Sequence, residues 1–126
     1  MELDAIDHVV LTVRDIPASV AFYTSVLGMR EVVFGEGRRA LVFGRCKLNL
    51  HQVGREFEPK AAHPAPGAVD LCLLAHTPVA DIERHLASHG VAIEAGPIER
   101  TGAQGPLLSV YVRDPDGNLI ELSNPL

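Results

Sequence analysis

Apolar and polar positions alternate with a period of two in three stretches of the chain: Ile6 to Val13, Lys47 to Val53, and Asn118 to Ser123. On a strand, successive side chains point to opposite faces, so Leu48 and Leu50 share one face while Asn49 and His51 share the other. Each stretch carries one side chain of metal-binding type on its less apolar face: His8, His51 and Glu121.

Between these stretches the period changes. The first strand, Ala5 to Val13, runs into Asp15 and Pro17, a cap candidate and an early proline that predict a helix start. Ile16, Val20, Tyr23 and Leu27 recur at helical spacing, and Gly28 supplies the stop. Short strands are predicted at 31–34, 39–43 and 47–53, with turns at Gly35-Glu36-Gly37 and Gly44-Arg45. Residues 54–68, with Pro59, Pro64, Pro66 and Gly67, break the pattern and read as a connection. A second round then begins. A strand at 69–75, a helix opened by Thr77-Pro78 with Val79, Ile82 and Leu86 as its stripe and Gly90 as its stop, and strands at 91–94, 107–113 and 119–124 follow. Asp114-Pro115-Asp116-Gly117 turns the last two. The class is α+β: two βαβββ modules in one domain over 1–126, module one about 1–53, the connection 54–68, and module two about 69–126.

The interval from His8 to Gly28 recurs from Asp70 to Gly90, the constant spacing of an internal duplication. Continuing that alignment pairs His51 with Glu121 and assigns the extra length of the second copy to Ala95 to Pro106. His8, His51, Asp70 and Glu121 thus become the candidate ligands. Imidazoles with carboxylates suit Zn, Ni, Co, Mn or ferrous iron, and such a site leaves positions open for water or substrate.

Composition narrows the partners. The net charge is −5 and the eleven basic residues form no run longer than Arg38-Arg39, which argues against nucleic acid and for a small-molecule substrate. No apolar run approaches the length of a membrane span, and Met1 is followed by Glu2 and Asp4, so a cytoplasmic protein without membrane association is expected. Cys46 and Cys72 lack metal-finger spacing and read as reduced, buried thiols. Among the other histidines, His85 and His89 fall in the last turns of the second helix and read as surface residues; His63, in the connection, is a candidate for substrate contact. Ser109 and Tyr111, opposite in parity to Val110 and Val112, are candidates of the same kind.

Asp7 to Val13, Phe22 to Met29 and Asp114 to Leu122 together resemble the vicinal oxygen chelate superfamily, which groups glyoxalases, bleomycin-resistance proteins and extradiol dioxygenases. The runs Asn49 to Gln52, Gly54 to Ala61 and Glu99 to Ala103, the last contributing Arg100 as a substrate candidate, are most similar to the glyoxalase domain-containing protein 5 and virulence-type subgroup. The resemblance implies two βαβββ modules in a U-shaped mixed sheet, a divalent metal, and often a homodimer. It further implies chemistry on a substrate with vicinal oxygens, of glyoxalase-like lyase or isomerase type, with Glu121 before Asp70 as the catalytic carboxylate that moves a proton. The alternatives are a metal-free protein that binds an antibiotic or toxin and an extradiol-type dioxygenase, whose usual second histidine falls where this chain has Asp70.

Overall fold

The computed structural model describes residues 1–126. The chain divides into two compact units, Met1–Ala68 and Val69–Leu126. Unit one contains β1 (His8–Val13), α1 (Ile16–Ala21) continued by a π-helical turn (Phe22–Val26), β2 (Arg30–Phe34), β3 (Arg38–Phe43) and β4 (Cys46–Gln52). Unit two contains β5 (Asp70–Leu74), α2 (Val79–Ser88), β6 (Ala95–Thr101), β7 (Pro106–Arg113) and β8 (Leu119–Pro125). Each is βαβββ.

The two sheets have the same order, β1-β4-β3-β2 and β5-β8-β7-β6. In each, the first strand lies parallel to the last and the other neighbours are antiparallel. Leu11, Leu48, Leu50 and Leu41 lie on one face of the first sheet and are almost completely buried, as are Val110, Val112 and Ile120 on one face of the second. The stripe of α2, Val79, Ile82 and Leu86, is buried as well. Each such side chain contributes roughly 1.5–3 kcal/mol through removal from water. This burial fixes which face of each strand is left for polar chemistry.

The helix starts differ from the sequence reading. Neither Asp15 nor Pro78, the residues at the two N-caps, makes a side-chain cap. The last strand of each unit does so instead. Gln52 Oε1 accepts from the Ile16 amide (3.3 Å) while its Nε2 donates to the Arg14 carbonyl (2.6 Å). Asn124 Oδ1 accepts from the Val79 amide (2.7 Å) while its Nδ2 donates to the carbonyls of Ala75 (3.0 Å) and Thr77 (2.9 Å). The helix stops are as read: Gly28 and Gly90 have φ of 70° and 67°, a conformation that a Cβ disfavours.

Two further expectations are corrected. Residues 91–94 are not a strand; the strand is β6, inside the stretch read as an insertion loop. It is an edge strand, exposed along its whole length, with a register irregularity between Ala95 and Ile98, so it carries no alternating pattern of burial. The cysteines are free but not buried: Cys46 is half-buried and Cys72 exposed.

Candidate functional site

The strand registers correct the alignment of the two copies. In β1 and β4, His8 is paired with Lys47, Val10 with Asn49 and Thr12 with His51. In β5 and β8, Asp70 is paired with Leu119, Cys72 with Glu121 and Leu74 with Ser123. His8 and Asp70 are therefore equivalent, as the sequence suggested. Glu121, however, is equivalent to Asn49, and His51 to Ser123. The capping pair Gln52 and Asn124, one residue further on in each strand, obeys the same alignment.

This register separates His8 from His51. Both rise from the same face, but His51 lies opposite Thr12, four residues along β1 from His8. At about 3.3 Å per residue, that is roughly 13 Å along the strand. The His51 ring is also engaged. It is buried (3% exposed), and Arg38 Nη2 donates to its Nε2 at 3.4 Å. Because a guanidinium only donates, Nε2 is the acceptor and the proton sits on Nδ1. Burial first, and the Arg38 charge second, hold the His51 pKa below the usual imidazole range; Glu56 opposes them. His51 is thus a neutral imidazole whose Nε2 lone pair is turned to a cation, the reverse of what an ion bound at Nε2 requires.

His8 is free to serve. It is half-exposed, and its Nδ1 lies 2.8 Å from Asp7 Oδ1. A carboxylate at Nδ1 fixes the tautomer and leaves Nε2 available, the usual arrangement behind a metal-bound histidine. In unit two, Asp70 and Glu121 occupy one face of adjacent strands and are offset by one pleat. Diagonal neighbours of this kind are about 7–8 Å apart at the backbone, within reach of two carboxylates sharing one ion. No three His, Cys, Asp or Glu side chains are grouped so as to hold a metal ion. Taken one unit at a time, the imidazole of His8 and the carboxylates of Asp70 and Glu121 are nitrogen and oxygen donors of the kind a divalent first-row ion takes.

The other candidates of unit two gather on the Glu121 face. Tyr111 is directly paired with Glu121 and Ser109 with Ser123. Ser109 and Ser123 hydroxyls are 2.7 Å apart, and Ser123 Oγ also donates to Glu121 Oε1 (3.3 Å). Arg100 Nε donates to the Tyr111 hydroxyl at 3.1 Å, so the candidates Arg100 and Tyr111 act as a pair. Cys72 Sγ lies 3.4 Å from Ser123 Oγ; desolvation, with the nearby Glu121 and Asp70 charges, pushes its thiol up and keeps it protonated. His63 is exposed in the connection. His85 and His89 are exposed with rings 4.3 Å apart, and His89 Nδ1 lies 3.0 Å from the His85 carbonyl.

Sequence reasoning missed a cluster in unit one. The Arg38 guanidinium packs over two aromatic rings, 5.0 Å from the centre of Phe34 and 4.7 Å from that of Phe57. The Phe57 ring also meets the His51 ring edge-on at 5.6 Å, and Lys47 Nζ stands 4.0 Å over Phe34. Asn49, on the same face, is 5% exposed. The signal was present in parity: Arg38, Asn49 and His51 all point away from the leucine face.

The fold is an α+β pair of βαβββ units, and the residues on its polar sheet faces are donors of oxygen and nitrogen. The chain belongs to the Glyoxalase/Bleomycin resistance protein/Dioxygenase superfamily, whose sequence profile matches residues 5–122. It is 54% identical over 124 residues to glyoxalase domain-containing protein RDO1 of Mycosarcoma maydis, spanning 98% of this chain and 70% of that protein. It is 53% identical over 123 residues to virulence protein STM3117 of Salmonella typhimurium, spanning 98% and 85%. The crystal structure of STM3117 matches with a TM-score of 0.99, at 52% identity and complete coverage of both chains. A lactoylglutathione lyase from Agrobacterium tumefaciens matches at a TM-score of 0.76 and 25% identity, covering 98% of this chain and 96% of its own.

Proposed function

We propose that the protein is a metal-dependent enzyme of glyoxalase-like lyase or isomerase type, acting on a small substrate with two adjacent oxygens. The observation that supports this most is the placement of Asp70 and Glu121 one pleat apart on one face of β5 and β8, with His8, backed by Asp7, at the position equivalent to Asp70. The ligands proposed are His8, Asp70 and Glu121. When bound, a divalent ion supplies Lewis-acid polarisation of adjacent substrate oxygens. The chain's own part is proton movement and orientation. Glu121 is the proton carrier in this reading: it is partly exposed, and Ser123 Oγ donates to one of its oxygens. Arg100 and Tyr111, joined by their hydrogen bond, orient the substrate over the same face.

Metal content tests the reading. Protein dialysed against Mn, Fe, Co, Ni or Zn is expected to retain about one equivalent of at least one of them, and Glu121→Gln and His8→Ala are expected to release it. Absence of affinity for all five ions overturns the enzyme reading and leaves a metal-free small-molecule binding protein. A homodimer is the proposed assembly, which sedimentation equilibrium checks.

A further inference from the structure

Three buried polar side-chain atoms have no hydrogen-bond partner: Arg38 Nε, Asn49 Oδ1 and Glu56 Oε2. All three belong to unit one. Buried polar atoms are paired in the large majority of cases, because leaving one unpaired costs about 1–3 kcal/mol. Three in one neighbourhood call for a ligand that pairs them. The neighbourhood is set by His51: Arg38 bonds its ring, Glu56 acts on its charge, Phe57 packs on it, and Asn49 precedes it by one pleat on β4.

We propose that Arg38, Asn49 and Glu56 form a recognition site for a small carboxylic acid that carries a hydroxyl or ammonium on the carbon next to its carboxylate. The inference goes beyond the metal reading and does not depend on it, since it invokes neither an ion nor any of the three proposed ligands.

The chemistry follows from the three orphans. Arg38 Nε is a charged donor in the guanidinium plane, and the rings of Phe34 and Phe57 both pack within about 5 Å of the guanidinium carbon. An unpaired in-plane N–H of a guanidinium matches the geometry of a planar carboxylate. Arg38 takes part in none of the ion pairs of the unit, which engage Asp7, Glu31 and Glu58. Its counter-charge is therefore open to a ligand. Asn49 Oδ1 and Glu56 Oε2 are acceptors, so a carboxylate alone leaves both unpaired. An ammonium beside it supplies a donor for each acceptor, and a hydroxyl a donor for one of them. Lys47 stands over Phe34 beside the cluster, so the cations Arg38 and Lys47 outnumber the carboxylate of Glu56 and an anion is admitted on balance. Neutral His51, held by Arg38, adds its Nδ1 proton without adding charge.

Four probes of one skeleton test the site: lactate, alanine, propionate and lactamide. Each is titrated into the full chain, stripped of metal with a chelator and then desalted, with binding read by ligand-observed NMR. Lactate, alanine or both are expected to bind about tenfold or more tightly than propionate, which lacks the donor, and than lactamide, which lacks the charge. Tighter binding of alanine assigns an ammonium facing Glu56; tighter binding of lactate assigns a hydroxyl. Asn49→Leu is expected to erase the advantage over propionate, and Arg38→Gln the advantage over lactamide, with Arg38→Lys keeping part of it. Equal binding of all four probes, binding of none, or an advantage that survives both substitutions in folded protein overturns the proposal. If Arg38→Gln does not fold, the probe comparison on unaltered protein and on Asn49→Leu still decides. Because no metal is present, failure here leaves the metal reading standing, and failure of the metal reading leaves this one.

Discussion

Gln52 and Asn124 hold equivalent posts: each is the carboxamide near the end of the strand that closes its unit, and each ties the start of that unit's helix to the sheet. The amide of the first helical residue finds its acceptor on a strand that comes later in the chain. Helix position and strand register are thereby fixed by one side chain in each half of the molecule.

Removing these ties should cost stability in proportion to the bonds lost. Gln52→Ala is expected to lower unfolding free energy by about 1 kcal/mol and Asn124→Ala, which loses three bonds, by about 2 kcal/mol. Urea denaturation followed by circular dichroism gives both values. Costs no larger than that of the exposed Glu36→Ala would mean that the caps are incidental.

The turn between β7 and β8 is a second point of weakness. The buried carboxylate of Asp114 accepts from the amides of Asp116 and Asn118 and from Asn118 Nδ2, at 2.8–2.9 Å. Asn118 Oδ1 in turn accepts from the Val69 amide at 2.9 Å, anchoring the approach to β5. Asp114→Ala should therefore cost roughly 3 kcal/mol or more. Because the two residues share a network, the double variant Asp114→Ala/Asn118→Ala should cost less than the sum of the single ones. Strict additivity in denaturation experiments would refute the network.

His51 makes stability depend on pH with a definite sign. Its folded pKa is depressed by burial and by Arg38, so the unfolded chain binds the proton more readily. The contribution of the neutral ring is fully present above the unfolded value of about 6.5 and is lost as pH falls below it toward the folded pKa. Unfolding free energy at pH 7.5 and 5.5 should thus fall more steeply for the unaltered protein than for His51→Gln. Identical slopes, or an NMR titration placing the His51 ring at or above the ordinary range, would contradict this.

The corrected register also predicts how metal affinity can be changed. Asn49 stands where the second copy has Glu121, so Asn49→Glu should raise affinity for Mn or Zn by on the order of tenfold, since ligand charge tunes metal affinity over decades. His51→Ala should leave it within about twofold. Equilibrium dialysis against the metal alone measures both. Loss of metal on replacing His51, with Asn49→Glu inert, would restore the assignment drawn from the sequence.

Much of the fold could be read from the chain because its helices and core strands obey periods that burial enforces. Ile82 and Leu86 mark α2, and Gly28 and Gly90 mark the ends of the helical segments, where a left-handed residue is required. What escaped has two physical causes. Alternation reports which face a side chain takes, and a slip of two residues leaves every face unchanged. His51 and Asn49 were therefore indistinguishable by pattern; only the partner strand separates them. The edge strand β6 escaped for the opposite reason: with every residue exposed, nothing in Ala95 to Thr101 needed to alternate. Arg38, Glu56 and Phe57 meet through a hairpin strand and the segment after β4, a tertiary contact without local signature. The faces of Asp70, Glu121 and Tyr111, set by strand parity alone, were visible from the outset.

The parallel pairing of β1 with β4 has a consequence for how the molecule is made. As the chain leaves the ribosome, its first strand has no neighbour until Cys46 to Gln52 emerge, because β2 pairs with β3 and β3 with β4. The same wait is repeated by β5 until β8 emerges. Each half is thus completed by its last strand, so a nascent chain halted before Leu119 carries one finished sheet and one that has not yet closed.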